Sequence, residues 1–375
     1  MRFIVGIIFM ITVIFGSNFY VFYRLWNMMP VNIIGRVILI CFAIFALASP
    51  FLALFAGEKF PIPVTSVMYK TGTSWMLIMM YLVIIFLLLD LARIIHILPV
   101  ERFMYGSWCG LGILAIFMSI VMTLGFVNYR NKNREELTIT LDKKTASDNS
   151  LKIVAISDLH LGYGISKDEF RSWVQIINKE EPDVLLIAGD LIDNSAYPLH
   201  KDGYAEVFKE IRTKYGIYMS LGNHEYISDV SKSIKFLNET GITLLIDSVA
   251  IINDDYYIVG RDDRSHPDRK TIADLIATLD KSKPVIMLDH QPYNLEDVEK
   301  NGIDLQISGH THNGQLWPIS WITKLMYEKS QGYIKKGNSN IYISSGIGIW
   351  GGKFRIGTNS EYAVILMMSG KQLNN

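Results

Sequence analysis

Five short segments, each ending an apolar run, carry residues able to bind a metal. Ile156-Ser-Asp-Leu-His160 supplies Asp158 and His160, and Ala188-Gly-Asp-Leu-Ile-Asp193 supplies Asp190. Leu221-Gly-Asn-His-Glu225 supplies Asn223 and His224, Asp289-His-Gln-Pro292 supplies His290, and Ser308-Gly-His-Thr-His312 supplies His310 and His312. Asp, Asn and His without Cys suit a hard or borderline divalent ion, not a thiolate-bound structural zinc. The set is too large for one ion and suits two that share a carboxylate. Two ions about 4 Å apart can clamp the attacking and leaving oxygens of a phosphoester. Each segment alone has an ordinary reading as a turn, a cap or a pair of histidines on an extended strand. The conjunction decides, because five of the eight histidines fall within these segments. His200 and His266 lie in polar stretches and read as solvent-exposed. Asp193 could support a ligand by hydrogen bonding or simply cap the next turn.

Strand ends must position these residues. The first three segments recur about every thirty residues, the length of a strand–helix–strand unit. Successive units bring the C-terminal ends of their strands to one edge, where ligand sites form. Strands are predicted at Lys152–Ser157, Val184–Ala188, Ile217–Leu221, Tyr256–Gly260, Val285–Leu288, Leu305–Ser308, Ile341–Ser344 and Ala363–Met367. Between them, Ser166 and Glu169 form a capping-box pattern ahead of Phe170, Val174 and Ile177 at helical spacing. The alternation predicts an α/β domain.

The rest of the chain is of another kind. Half of the 375 residues are hydrophobic, with a mean hydropathy of +0.24. The excess lies in residues 1–127, which hold very few Asp or Glu. Four stretches there match the roughly 20 apolar residues that a spanning helix needs: Phe3–Tyr23, Ile33–Ala56, Trp75–Leu98 and Leu111–Val127. The expected organisation is a four-helix transmembrane bundle at 1–127, a surface linker at 128–150 with a short strand at Leu137–Leu141, and a hydrolase domain at 151–370. Asp90, Arg93 and His96, near the end of the third stretch, read as an interfacial ion pair and a snorkelling tail. The distribution of Lys and Arg around four spans favours a multi-pass cell-membrane protein with a cytoplasmic soluble domain. A net charge of zero gives no reason to invoke nucleic acid. Cys41 and Cys109, the only cysteines, lie in apolar stretches, so the soluble part has no disulfide framework.

The ordered series Asp158-x-His160, Gly189-Asp190, Gly222-Asn-His-Glu225, His290 and Gly309-His-Thr-His312 resembles the calcineurin-like metallophosphoesterase superfamily over roughly residues 151–368. Gly309-His-Thr-His-Asn-Gly-Gln315 and Ser345-Gly-Ile-Gly348 look like its bacterial membrane-anchored branch. Thr358-Asn-Ser-Glu361 departs from the Arg-Pro-Glu pattern frequent there. The resemblance implies a two-sheet αββα sandwich holding two divalent ions such as manganese, iron or zinc. By the same resemblance Asp158, His160 and His312 would hold one ion, Asn223, His290 and His310 the other, and Asp190 would bridge. His224 would protonate or stabilise the leaving oxygen. The implied reaction is hydrolysis of a phosphomonoester, phosphodiester or pyrophosphate by a metal-bridging hydroxide. The competing expectation is a catalytically silent, membrane-tethered binding or sensor module. Leu316–Tyr327 is apolar and aromatic, and its Trp317 and Trp321 are expected to form a lip for an amphiphilic, lipid-linked substrate.

Overall fold

The computed structural model describes the backbone of residues 2–96, 99–143 and 150–369, with side chains from Ile11 onward. The end of the expected third span (Ile97 and Leu98), the polar end of the expected linker (144–149) and Gly370 lie outside the described residues. The chain divides into two compact units, one ending at Gly125 and one starting at Phe126.

The first unit contains the long helices Arg2–Met28, Ile33–Ala56 and Ile62–Ile94 and most of Trp108–Arg130. Among the described residues, Ile33–Lys59, Ile62–Ile94 and Trp108–Arg130 are long and apolar enough to cross a membrane. The third helix starts well before the expected Trp75, with Pro63 in its first turn, where the missing N–H breaks no helical hydrogen bond. Asp90 pairs with Arg24 of the first helix, not with Arg93 as the sequence spacing suggested, and also accepts the Tyr20 hydroxyl at 2.6 Å. Arg93 instead donates to the Tyr105 hydroxyl at 2.6 Å. The i,i+3 spacing on one helix was thus outweighed by an oppositely charged partner on its neighbour.

The second unit is a sandwich of two six-stranded sheets. Its strands are β1 (Lys132–Leu141), β2 (Leu151–Ile156), β3 (Val184–Ala188), β4 (Ile217–Ser220), β5 (Thr243–Leu245), β6 (Ser248–Ile252), β7 (Tyr256–Gly260), β8 (Val285–Leu288), β9 (Leu305–Ser308), β10 (Gly332–Lys336), β11 (Ser339–Ile343) and β12 (Ser360–Ser369). The sheet orders are β1-β12-β2-β3-β4-β5 and β10-β11-β9-β8-β7-β6. Within them β2 to β5 run parallel, as do β7, β8, β9 and β11.

Successive side chains on a strand point to opposite faces. Ile153, Ala155, Val184, Leu186, Ile286, Leu288, Leu305 and Ile307 therefore meet between the sheets in one buried cluster. The alternate set, Val154, Ile156, Leu185 and Ile187, packs outward against Phe170, Trp173 and Ile177 of helix Lys167–Lys179. Val259, Val285 and Met287 pack outward from the other sheet on Ile272, Leu275 and Val298. Both faces of each central strand are covered, which is why these strands read as continuous apolar runs. The architecture is the expected αββα sandwich.

Four strands were not fully legible. The expected short strand at Leu137–Leu141 is the second half of β1, which pairs in parallel with β12 along its whole length. Only Ile139 and Leu141 of β1 are buried, so Lys132–Glu136 carries no apolar period; its place is set by backbone pairing. The short strands β5, β6 and β10 lie at or beside sheet edges, and their mixed exposure leaves little pattern.

The last turn of helix Trp108–Arg130 belongs to this unit. Tyr129 is fully buried in its core and donates to Glu169 Oε1 at 2.5 Å, and the Asn128 amide donates to the Arg355 carbonyl at 3.2 Å.

Candidate metal centre

The C-terminal ends of β2, β3, β4, β8 and β9 deliver Asp158 and His160, Asp190, Asn223 and His224, His290, and His310 and His312 to one end of the sandwich. Three sets each bring their ligand atoms within 4.8 Å of one another: Asp158, His160 and His312; His160, Asp190 and His224; and Asp190, His290 and His310. Asp190 Oδ2 lies 3.1 Å from His290 Nε2 and 3.8 Å from His160 Nε2, so one carboxylate faces both halves of the cluster. Asn223 Oδ1 stands 2.8 Å from His310 Nδ1 and 3.2 Å from His290 Nε2, which adds a neutral oxygen to the second half.

The backbone is strained where these residues sit. Asp158 (φ 54°), His160 (47°), Asp190 (53°), His310 (70°) and His312 (48°) all adopt left-handed conformations. Such conformations cost of order 1–3 kcal/mol each and persist where function demands them. Gly189 (φ 75°) permits a close approach, because a Cβ there would lie 2.6 Å from the His290 ring. Strained, buried and convergent nitrogen and oxygen donors without thiolates fit hard or borderline divalent ions.

The electrostatics agree. Burial alone would lower His290, but Asp190 and Asp158 outweigh it and hold the imidazole well above its usual range. Burial and the neighbouring His290 push His310 down to about 4, leaving it neutral and ready to donate a lone pair. Burial raises Asp158, partly offset by His290. Burial and Asp190 push Glu225 up to about 7. Its carboxylate receives the backbone N–H groups of Asp190 (3.0 Å), Ile192 (2.9 Å) and Gly222 (2.7 Å), fastening the β3 and β4 loops together.

His224 packs edge to face on His160, with ring centroids 4.5 Å apart. Its Nδ1 donates to the Asp193 carbonyl at 2.5 Å, and its backbone N–H donates to Asp190 Oδ1 at 2.8 Å. The Asp193 carboxylate lies 3.6 Å from His224 Nδ1 and 3.4 Å from His160 Nδ1. Of the two sequence readings of Asp193, the geometry favours support of these two rings. Burial lowers His224, but Asp190 and Asp193 outweigh it and leave its pKa raised.

His200 and His266 do not join the cluster; they face Glu239 at 3.0 Å and Asp262 at 3.7 Å. Trp317 and Trp321 do not join it either. They meet edge to face at 5.4 Å on an exposed surface. Tyr327, which follows their helix, comes closer, its ring centroid 6.4 Å from that of His310. The Tyr327 hydroxyl meets that of Tyr293 at 2.9 Å, and the exposed Arg264 guanidinium lies 4.1 Å over the Tyr293 ring.

Sequence reasoning also missed Arg355, which no strand-end pattern marks. It is completely buried, and burial lowers its pKa to about 10. It donates to the carbonyls of His312 (2.8 Å), Ser345 (2.5 Å) and Gly348 (3.1 Å), so it holds the loop behind Asp158 and His312. Arg355→Met should weaken metal binding by about 10–100-fold, the usual effect of removing a group that orients ligands. Arg355→Lys should restore only part, because an ammonium cannot span three carbonyls in a plane. Metal titration by calorimetry on the two folded variants checks this.

Comparison with known proteins adds the family. Residues 151–314 match the model for calcineurin-like phosphoesterases. An uncharacterized metallophosphoesterase of Campylobacter jejuni is 30% identical over 266 residues, covering 68% of this chain and 69% of that protein. One from Helicobacter pylori strain J99 is 33% identical over 247 residues, and the match spans 64% of each protein's length. A Danio rerio transmembrane protein with a metallophosphoesterase domain is 29% identical over 273 residues, covering 68% of this chain and 62% of that protein. With the sandwich, the strand-end donors and these relatives in agreement, the chain belongs to the calcineurin-like metallophosphoesterases, on a polypeptide that also carries helices long and apolar enough to cross a membrane.

Proposed function

We propose that this chain is a membrane-anchored phosphoesterase with a dinuclear centre that hydrolyses phosphoester bonds. The observation that carries the proposal is Asp190, whose carboxylate lies between the His160 and His290 halves of the cluster. Asp158, His160 and His312 would hold one divalent ion, and Asn223, His290 and His310 the other. Two ions so placed would activate water near neutral pH and offset charge on the phosphoryl oxygens. Because Nδ1 of His224 is engaged by the Asp193 carbonyl, Nε2 is the atom that can carry a proton to a leaving oxygen. Asp190 and Asp193 raise its pKa, which favours the protonated form that an acid needs. Arg264, on Tyr293 at the rim, adds positive charge where an anionic substrate would enter. A silent binding module would need neither the strained donors nor His224.

The finer reading is a lipid-linked phosphoester met at the cytoplasmic membrane surface, with Trp317 and Trp321 beside its apolar portion. A membrane part at 1–127 and a hydrolase domain at 151–370 remain the proposed division, with the 128–150 segment contributing β1 to the hydrolase sandwich. Because β1 pairs fully with β12, a shortened chain must begin before Lys132, and Phe126 also retains the buried Tyr129. Both the full chain and one beginning at Phe126 should cleave bis(p-nitrophenyl) phosphate with added manganese and stop on chelation. A folded, metal-loaded protein without turnover on phosphomonoesters, phosphodiesters or pyrophosphates would refute the hydrolase reading.

A further inference from the structure

The helix Ile319–Met326 is built inside out. Its buried residues are Ser320 and Thr323, at 4% and 8% exposure, whereas Trp321 and Leu325 stand 60% and 88% exposed. Ile322 and Met326 are also exposed, and Trp317 lies just before the helix, likewise exposed. A helix normally turns its apolar stripe to the core. Here the stripe faces outward, with the exposed Lys324 among it.

The neighbours of this face say what it meets. The Trp317 N–H donates to the Ile356 carbonyl at 2.7 Å, and the Asn128 side chain donates to the adjacent Arg355 carbonyl at 3.2 Å. Asn128 is in the last turn of the helix Trp108–Arg130, which is apolar enough to span a membrane. The Gln315 amide reaches the Trp350 carbonyl at 3.4 Å, so the exposed Trp350 belongs to the loop that adjoins this segment. The outward apolar face and the point where the membrane helix joins the sandwich thus lie on one edge of the second unit. Only Asn131 separates that helix from β1.

We infer that the face formed by Trp317, Trp321, Ile322, Leu325, Met326 and Trp350 inserts into the surface of the bilayer that holds the chain's own helices. Tryptophan suits the interfacial zone, and Lys324 can reach phosphate headgroups while its stem stays among the acyl chains. Short amphipathic helices held this way bury their apolar face about 5–10 Å into the headgroup boundary. The inference rests on membrane association alone and not on hydrolysis. Since Tyr327, at the end of this helix, lies beside His310, insertion would set the metal centre next to the headgroup layer.

The test uses the full chain with Cys41→Ser and Cys109→Ser, a nitroxide at Leu325→Cys or Met326→Cys, and a water reference at Lys232→Cys. One chain is placed per nanodisc of phosphatidylcholine and phosphatidylglycerol. Labels at 325 and 326 should favour collision with oxygen over a water-soluble nickel chelate relative to the reference, as depth in the interface requires. Equal ratios at all three positions would overturn the inference. Protection seen only with two chains per disc would overturn it too, by making a second copy the occupant. Ile322→Glu with Leu325→Glu should lower turnover of a vesicle-embedded phosphodiester while sparing a soluble one. If the unsubstituted chain hydrolyses neither, the phosphoesterase reading fails, and the nitroxide depths still decide this one.

Discussion

Asp190→Asn is expected to abolish hydrolysis and to empty both halves of the centre together. Its carboxylate faces His160 and His290 with one oxygen and receives the His224 backbone N–H with the other. The amide keeps the shape but loses the negative charge and one acceptor, so neither half retains a shared anionic ligand. Removing a group that only orients a ligand costs about 10–100-fold in metal affinity. Loss of a shared ligand should exceed the upper end of that range for both ions. His290 should report the same event, because Asp190 is the largest charge holding its proton. In the metal-free variant its NMR-monitored titration should therefore move to lower pH. Elemental analysis that finds wild-type stoichiometry for both ions in the variant would refute the bridging role.

His224→Ala should leave both ions bound and slow turnover by about 10²–10⁴-fold, the usual range for a positioned general acid. The loss should shrink for substrates such as p-nitrophenyl esters, whose leaving oxygen needs no proton. The pH profile gives a second reading. An acid works while protonated, so activity should fall as pH rises through the raised His224 pKa, and this alkaline limb should vanish in the variant. Asp193 holds that pKa up together with Asp190, so Asp193→Asn should shift the limb to lower pH without removing it. An equal loss for good and poor leaving groups, with the alkaline limb intact, would rule out the acid role.

Much of this centre was legible because buried parallel strands announce themselves. Val184–Ala188, Tyr256–Gly260, Val285–Leu288 and Leu305–Ser308 are strands at the predicted limits. Each central strand is covered on both faces, so it must be apolar throughout, and the first polar residue after it marks the site edge. Asp158, Asp190, Asn223, His290, His310 and His312 follow such runs. Arg355 was not legible, since its role depends on three carbonyls brought together by a loop. The Arg264–Tyr293–Tyr327 rim was missed for the same reason: those residues meet through space, with no local period. Asp90 shows the opposite failure, where spacing suggested Arg93 and the neighbouring helix supplied Arg24. Trp317 and Trp321 were picked out by residue type, but only the burial of Ser320 and Thr323 shows that their helix faces outward.

The placement of β12 has a consequence for how the protein is made. It lies between β1 and β2, with Leu137 beside Ile365 and Ile365 beside Ile153. On the ribosome, β1 and β2 therefore emerge with no partner for the edges they will share. They must wait through the synthesis of every ligand-bearing loop until residues 360–369 are released. Pairings so distant in sequence form late and leave apolar edges open to aggregation in the interval. The polar, charged start of β1 is suited to that wait, since Lys132–Glu136 offers a stray strand little to hold. Nascent chains stalled before Ser360 should be degraded readily by added protease, whereas those released beyond Ser369 should resist it.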